Sequence, residues 1–124
     1  MKIFADSYAL IEYFKGNKNY TKYFSGENEI VLTKLNLMEV YYSTLVEESE
    51  ELANKYYDSL LGKCVELPDE TIKKAMKLRK LENSKGKKLS YADCIGYQTA
   101  LDLEINFLTG DNEFKNMEKT IFVK

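Results

Sequence analysis

The strongest constraint on the fold of this chain is the alternation of short apolar runs with longer amphipathic segments. The apolar runs are predicted to be β-strands and cover residues 3–5, 30–32, 64–67, 106–108 and 121–123. The predicted helices between them cover residues 7–14, 20–25, 34–48, 50–61, 69–83 and 90–103. Short apolar strands that alternate with helices form parallel sheets covered by helices on both faces. The sequence therefore predicts an α/β fold.

The length of 124 residues fits a single domain over residues 1–124, because domains commonly contain about 100 to 150 residues. No apolar stretch approaches the roughly 20 residues that a membrane-spanning helix needs. The N-terminal segment also lacks the apolar region of a signal peptide. We therefore expect a cytoplasmic protein without membrane contact, in which Cys64 and Cys94 are reduced thiols.

Histidine is absent from the sequence, and its absence excludes several classes of catalytic site. Ser-His-Asp triads, Cys-His pairs and zinc sites that need histidine cannot form. Hydrolytic chemistry would therefore depend on carboxylates, a hydroxyl, a lysine or a hard metal ion. The formal net charge of -2 argues against nucleic-acid binding by bulk electrostatics alone, although Lys85, Lys87 and Lys88 could form a local basic patch.

Two predicted strands lead directly into an acid. Asp6 follows the first strand, and Asp111 follows the run at 106–108 after a Thr-Gly step. In parallel α/β sheets, ligands bind in the crevice at the carboxyl ends of the strands, where both acids are expected. Each acid also has an ordinary structural explanation, because Asp6 can cap the next helix and Asp111 can belong to a Gly-Asp-Asn turn.

Glu39 is predicted to lie on the inner face of the helix at 34–48. The apolar residues that repeat every three or four positions, and that are predicted to pack on the sheet, are Leu35, Met38, Tyr42 and Leu45. Glu39 falls between them on the same face. A glutamate directed inward is usually ion-paired or functional, and both explanations stay open at this point.

Asp93 follows Ser90 by three residues, which is the spacing of a capping box at the start of a helix. Gly96, one turn later, costs about 1 kcal/mol relative to alanine in a helix, which indicates that another group approaches it closely. The residues predicted to form the packing face beside it are Ala92, Ile95, Thr99 and Leu103. Asp93 is therefore expected at the edge of the same crevice as the strand-end acids.

A single site would explain the four acids Asp6, Glu39, Asp93 and Asp111 together. Carboxylates held close to one another repel, so such a cluster is unfavourable unless cations share it. Mg²⁺ and Mn²⁺ are hard ions that prefer oxygen ligands. Such ions can activate water and stabilise the charge that develops when a phosphodiester is cleaved. The four acids are therefore candidate metal ligands and catalytic residues.

A resemblance to a known family rests on the segments ADSYALIEYFKG, LNLMEVYYSTL and LSYADCIGYQTALDLEINFLTGDNEF. They are similar to the motifs of the PIN-domain ribonucleases, especially the small VapC-like toxins of toxin-antitoxin pairs. The resemblance implies a PIN-like fold, with a short and mostly parallel sheet, and a Mg²⁺- or Mn²⁺-dependent endoribonuclease that cleaves single-stranded or loop RNA. It also implies that the protein forms a homodimer and binds a small antitoxin protein.

The resemblance assigns roles residue by residue. Asp6, Glu39 and Asp93 would be the central acids and Asp111 the fourth. The accessory hydroxyls Ser7 and Thr109 would orient a carboxylate or a water molecule, although each also fits an ordinary place at a helix start or in a turn.

The chain departs from the family pattern at Tyr8, which is bulkier than expected, and at Asn112-Glu113. These departures put substrate access and accessory ligation in doubt. Two alternatives remain. One is a non-catalytic PIN-like module for RNA binding or assembly. The other is a phosphoaspartate enzyme or receiver, although a dehalogenase-type site would want an acid where Tyr8 stands.

Overall fold

The sheet is parallel throughout in the computed structural model, which describes residues 1–124. Its strands are β1 (Lys2–Ala5), β2 (Glu29–Val31), β3 (Asn106–Thr109) and β4 (Thr120–Phe122). They lie in the order β2-β1-β3-β4. The chain passes from β1 to β2 on one side and then crosses to β3 on the other side of β1. This reversal opens a crevice at the carboxyl ends of β1 and β3, and the predicted parallel α/β fold is confirmed.

Six helices connect or flank the strands. They are α1 (Ser7–Phe14), α2 (Lys18–Thr21), α3 (Lys34–Glu47), α4 (Glu50–Leu61), α5 (Asp69–Ser84) and α6 (Tyr91–Asp102), and a 3-10 turn covers Asn112–Phe114. All six predicted helices are present, although α2 begins and ends earlier than expected. None of the helices combines the length and apolar character that crossing a bilayer requires.

The predicted strand at 64–67 is wrong. Only Cys64 pairs with the sheet, through an isolated parallel bridge to Leu32 beyond the end of β2. The backbone N–H of Val65 donates to the carbonyl of Leu32 at 2.9 Å. Pro68 then occupies the position before the first residue of α5, so the segment leaves the sheet edge before a ladder can form.

The hydrophobic core lies on both faces of the sheet. Ile3 and Ala5 of β1 pack on one side with residues of α1, α3 and α4, whereas Phe4 packs on the other side with residues of α5 and α6. This alternation follows from the two-residue repeat of a strand, and it explains why the strand is apolar at successive positions. The prediction of helices on both faces is confirmed. Cys64 and Cys94 are both free thiols.

The predicted inner face of α3 is wrong. Met38 is 58% exposed and Tyr42 is 69% exposed. The residues of α3 that are buried are Asn36, Leu37, Val40 and Thr44. They also repeat at three and four positions, so α3 has two stripes with helical spacing. In the predicted stripe Met38, Tyr42 and Leu45 are exposed, whereas Leu35 and Glu39 are partly buried.

Gly96 allows α6 to lie very close to the sheet. A Cβ atom at this position would be 2.9 Å from Cε1 of Phe4 and 3.4 Å from Cε1 of Phe107. The close approach predicted from the sequence is therefore made by two aromatic rings of the central strands. Because α6 leads into the parallel strand β3, its first turn, with Asp93, lies at the carboxyl ends of the strands.

Candidate active site

Asp6 lies at the point where β1 becomes α1 and is only 3% exposed. Its Oδ1 accepts a hydrogen bond from the backbone N–H of Ala9 at 2.8 Å, so the predicted helix cap is present. Its Oδ2 accepts a hydrogen bond from the hydroxyl of Thr109. Burial, with a smaller contribution from the negative charges of Asp93 and Asp111, raises the pKa of Asp6 to about 7 against these two hydrogen bonds. Asp6 therefore resists ionisation in the metal-free protein.

Thr109 joins the two acids that follow β1 and β3. Its buried hydroxyl donates to Asp6 and accepts a hydrogen bond from the backbone N–H of Asp111 at 3.0 Å. Asp111 begins the 3-10 turn, where its Oδ1 accepts from the N–H of Glu113 at 3.0 Å. The acids that are a hundred residues apart in the sequence are thus held at one edge of the sheet.

Glu39 is half-buried and bound to α1. The hydroxyl of Ser7 donates a hydrogen bond to its Oε1. Burial raises the pKa of Glu39, the hydrogen bond from Ser7 opposes this rise, and the charge of Asp93 adds to it. No lysine or arginine forms an ion pair with Glu39, so ion pairing does not explain its inward position.

Asp93 forms the capping box that its spacing predicts. The hydroxyl oxygen of Ser90 accepts from the N–H of Asp93 at 3.1 Å, and Oδ2 of Asp93 accepts from the N–H of Ser90 at 3.0 Å. Burial nevertheless raises the pKa of Asp93 against the hydrogen bonds of Ser90, and the charges of Asp111 and Glu113 raise it as well. The capping hydrogen bonds therefore do not offset the effect of burial and of the neighbouring acids on the pKa of Asp93.

The four acids form one electronegative crevice. Asp93 raises the pKa of both Asp6 and Glu39, and Asp111 raises that of Asp6 and Asp93. Every ion pair in the structure involves other carboxylates. Lys85 and Lys87, two of the three lysines of the predicted basic patch, form ion pairs with Glu82 and not with the acids of the crevice. No basic side chain compensates the crevice.

The oxygen donors of the crevice fit a hydrated divalent ion. Oε2 of Glu39, Oδ1 of Asp93 and Oδ2 of Asp111 accept no hydrogen bond, whereas both oxygens of Asp6 are engaged. No three acidic side chains lie close enough together to form a ready coordination shell. Mg²⁺ usually keeps several waters and binds only one or two carboxylates directly, so such a tight shell is not required.

Asn36 is a further residue beside the crevice, not predicted from the sequence, and it is only 2% exposed. Its Nδ2 donates to the hydroxyl oxygen of Ser7 at 3.0 Å, and its Oδ1 accepts from both the N–H and the hydroxyl of Thr33. The available signal was the three-residue spacing of Thr33 and Asn36, which matches that of Ser90 and Asp93.

Comparison with known proteins gives a family and several similar folds. The sequence profile of the PIN domain family matches residues 3–120. The fold is similar to VapC20 of Mycobacterium tuberculosis, a sarcin-ricin loop cleaving toxin, with a TM-score of 0.79 and 13% identity over 98% of this chain and 96% of that chain. A chain of VapBC2 from Rickettsia felis, bound to a promoter DNA fragment, gives a TM-score of 0.76 and 16% identity over 99% and 98%.

A third similar structure is VapBC-1 from nontypeable Haemophilus influenzae, with a TM-score of 0.74 and 13% identity over 100% of this chain and 98% of that chain. No curated protein sequence matches this chain at a significant level. The low identities limit the structural likeness to the fold. Since the family profile spans nearly the whole sequence, the protein belongs to the PIN domain family.

Proposed function

We propose that the protein is a metal-dependent endoribonuclease that hydrolyses phosphodiester bonds of single-stranded or loop RNA. One observation carries the proposal: four carboxylates meet at the carboxyl ends of the central strands, burial raises the pKa of Asp6, Glu39 and Asp93 there, and none of the four forms an ion pair. Repulsion between such carboxylates is relieved when a divalent cation binds. Membership of the PIN domain family supports the same conclusion.

The free oxygens of Glu39, Asp93 and Asp111 would hold a hydrated Mg²⁺ or Mn²⁺ ion, one or two of them directly and the rest through its water molecules, and Asp6 would form the base of the site. The ion would supply Lewis-acid polarisation of the scissile phosphate and activation of the attacking water. Ser7 fixes one oxygen of Glu39, which orients its carboxylate. Thr109 fixes Asp6 in the same way.

The charge of the crevice favours catalysis over the alternative of a non-catalytic RNA-binding or assembly module. RNA phosphates are negative and would be repelled by uncompensated carboxylates, so RNA binding here requires cations. A module without activity would be expected to lack one of the acids or to block it with a basic residue. Asp6, Glu39, Asp93 and Asp111 are all present, and none forms an ion pair.

We expect cleavage of single-stranded or loop RNA only when Mg²⁺ or Mn²⁺ is added, because the site contains neither histidine nor a basic side chain that could replace the ion. The measurement is a cleavage assay on a panel of labelled RNAs with Mn²⁺, with excess EDTA, and with Mn²⁺ restored after EDTA. Undiminished cleavage in excess EDTA would contradict a metal-dependent mechanism. RNA that is bound but never cleaved in Mn²⁺ would favour the non-catalytic alternative.

The cellular role that we propose is that of a VapC-like toxin acting in the cytoplasm. All three similar folds described above belong to VapC or VapBC proteins. A toxin of this kind requires an inhibitor, and we propose a small antitoxin that covers the acid crevice. Co-expression with the product of a neighbouring short reading frame should suppress RNA cleavage, and cleavage that persists in a stable complex would contradict the proposed arrangement.

We also propose that the protein forms a homodimer through exposed residues of α3 that follow Glu39 by one to two turns. Tyr42, Leu45 and Val46 are exposed in the second half of α3, and their spacing puts them on one side of the helix. Light scattering should give a dimer at micromolar concentration, and Tyr42→Glu with Val46→Glu should give a monomer. Leu81→Glu is the control, because Leu81 is an exposed apolar residue of a different helix, α5. A wild-type monomer over this range would contradict the proposal.

A further inference from the structure

Three polar side chains connect the start of α3 to Glu39 by hydrogen bonds. The N–H and the hydroxyl of Thr33 reach Oδ1 of Asn36 at 3.1 Å and 2.8 Å. Nδ2 of Asn36 lies 3.0 Å from the hydroxyl oxygen of Ser7, which in turn contacts Oε1 of Glu39. Thr33 and Asn36 are both buried, so water does not compete freely for these bonds.

Each bond in this chain has only one possible direction. The backbone N–H of Thr33 can only donate, so the atom of Asn36 that faces it is the amide oxygen. The other atom is then the amide nitrogen, which can only donate to Ser7. The carboxylate of Glu39 can only accept, so the single hydrogen of Ser7 is directed to Oε1 while a lone pair of the same hydroxyl accepts from Asn36. The backbone at Thr33 thus fixes which end of the Asn36 amide faces Ser7, and the Nδ2 donor placed there leaves the hydrogen of Ser7 free for Glu39.

Capping alone does not require an amide at this position. Only Oδ1 of Asn36 takes part in the cap of α3, and α6 forms its capping box with the carboxylate of Asp93 at the equivalent position. The Nδ2 donor of Asn36 is therefore not needed for the helix start. Its single partner is Ser7.

We propose that Asn36 is a positioning residue for the candidate active site and acts through Ser7 on Glu39. By directing the hydrogen of Ser7 to Oε1, it orients the carboxylate and keeps Oε2 free for a divalent cation. The inference rests on the proposed function, in which Glu39 is a metal ligand. Removing a residue that hydrogen-bonds to a metal ligand and orients it typically lowers metal affinity or activity by about 10- to 100-fold.

A double-mutant cycle on Mn²⁺ affinity, measured by titration calorimetry on the full chain, tests this role. Asn36→Leu and Ser7→Ala should each weaken Mn²⁺ binding by about 10-fold. The double variant should be no weaker than either single variant, because both substitutions break the same chain of hydrogen bonds. Urea unfolding of each variant shows separately how much stability is lost.

Thr44→Val is the matched control. Thr44 is a buried polar residue of the same helix, and its hydroxyl donates to the carbonyl of Val40 at 2.8 Å, outside the chain that leads to Glu39. The substitution should lower stability and leave Mn²⁺ affinity unchanged. If Asn36→Leu fails to fold, Asn36→Ser takes its place, because the shorter side chain removes the amide with less disturbance of the helix start.

Two results would overturn the positioning role. One is unchanged Mn²⁺ affinity in a folded Asn36 variant. The other is a loss that is as large in the Ser7→Ala background as in the wild type, since Asn36 would then act independently of Ser7. In both cases wild-type Mn²⁺ binding, and with it the proposed function, would stand. Failure of the wild type itself to bind Mn²⁺ would overturn the proposed function and this inference together.

Discussion

Asp6→Asn should stabilise the metal-free protein by on the order of 4 kcal/mol at pH 8 and remove most of the fall in its stability between pH 4 and pH 7. Burial raises the pKa of Asp6 from 3.8 to about 7. Between these values the folded protein holds a proton that the unfolded chain has lost, so the free energy of unfolding decreases as the pH rises. The amide introduced by the substitution is neutral at every pH and avoids this loss.

Urea unfolding in EDTA at pH 5 and at pH 8 measures the effect. At pH 5 wild type and variant should be nearly equal in stability, because Asp6 is protonated in the folded wild type and the amide can still accept the hydrogen bond from Ala9. At pH 8 the variant should be clearly more stable. Parallel pH profiles for the two proteins would show that Asp6 ionises without cost, contrary to its burial.

Asp93→Asn and Glu39→Gln should each lower RNA cleavage in Mn²⁺ by orders of magnitude, while the metal-free variants remain at least as stable as the wild type. Both substitutions remove a negative charge from the crevice, where burial and neighbouring acids raise the pKa of each group. Asparagine at position 93 can also keep the hydrogen bond from Ser90 that caps α6. The measurements are a cleavage time course and a melting curve for each variant.

Asp102→Asn is the matched control because it makes the same substitution in the same helix, outside the crevice. Its expected effects on stability and on cleavage are the reverse of those of Asp93→Asn. Burial alone would raise the pKa of Asp102, but hydrogen bonds from Lys74, Thr71 and Gln98 outweigh it and lower the pKa. The variant should lose stability and retain cleavage. If Asp93→Asn behaved like Asp102→Asn, Asp93 would be a capping residue without a catalytic role.

The central strands and the positions of Asp6, Asp93 and Asp111 could be predicted because they depend on local sequence patterns. The strands β1 and β3 are short and apolar, and each leads to an acid within a few residues. Since parallel strands share one carboxyl edge, Asp6 and Asp111 had to lie at the same side of the sheet. The capping box of Ser90 and Asp93 follows from spacing alone.

The rest could not be read from local patterns because it depends on packing between distant segments. Spacing alone cannot choose between the two stripes of α3, and only its contact with other helices buries Val40 and exposes Tyr42. The hydrogen bonds of Ser7 to Glu39 and Asn36 join residues about 30 positions apart in the sequence. They exist because α1 and α3 both start at the carboxyl edge of the sheet.

The most direct test of a shared cation site is the melting temperature with and without saturating Mn²⁺, measured for the wild type and for the single variants Asp6→Asn, Glu39→Gln, Asp93→Asn and Asp111→Asn. A cation that binds the folded state and relieves the repulsion raises the melting temperature of the wild type. If the four acids share the ion, each variant should show a much smaller rise, and Asp102→Asn should keep the full one. No rise in the wild type, or an undiminished rise in all four variants, would contradict a metal site in this crevice.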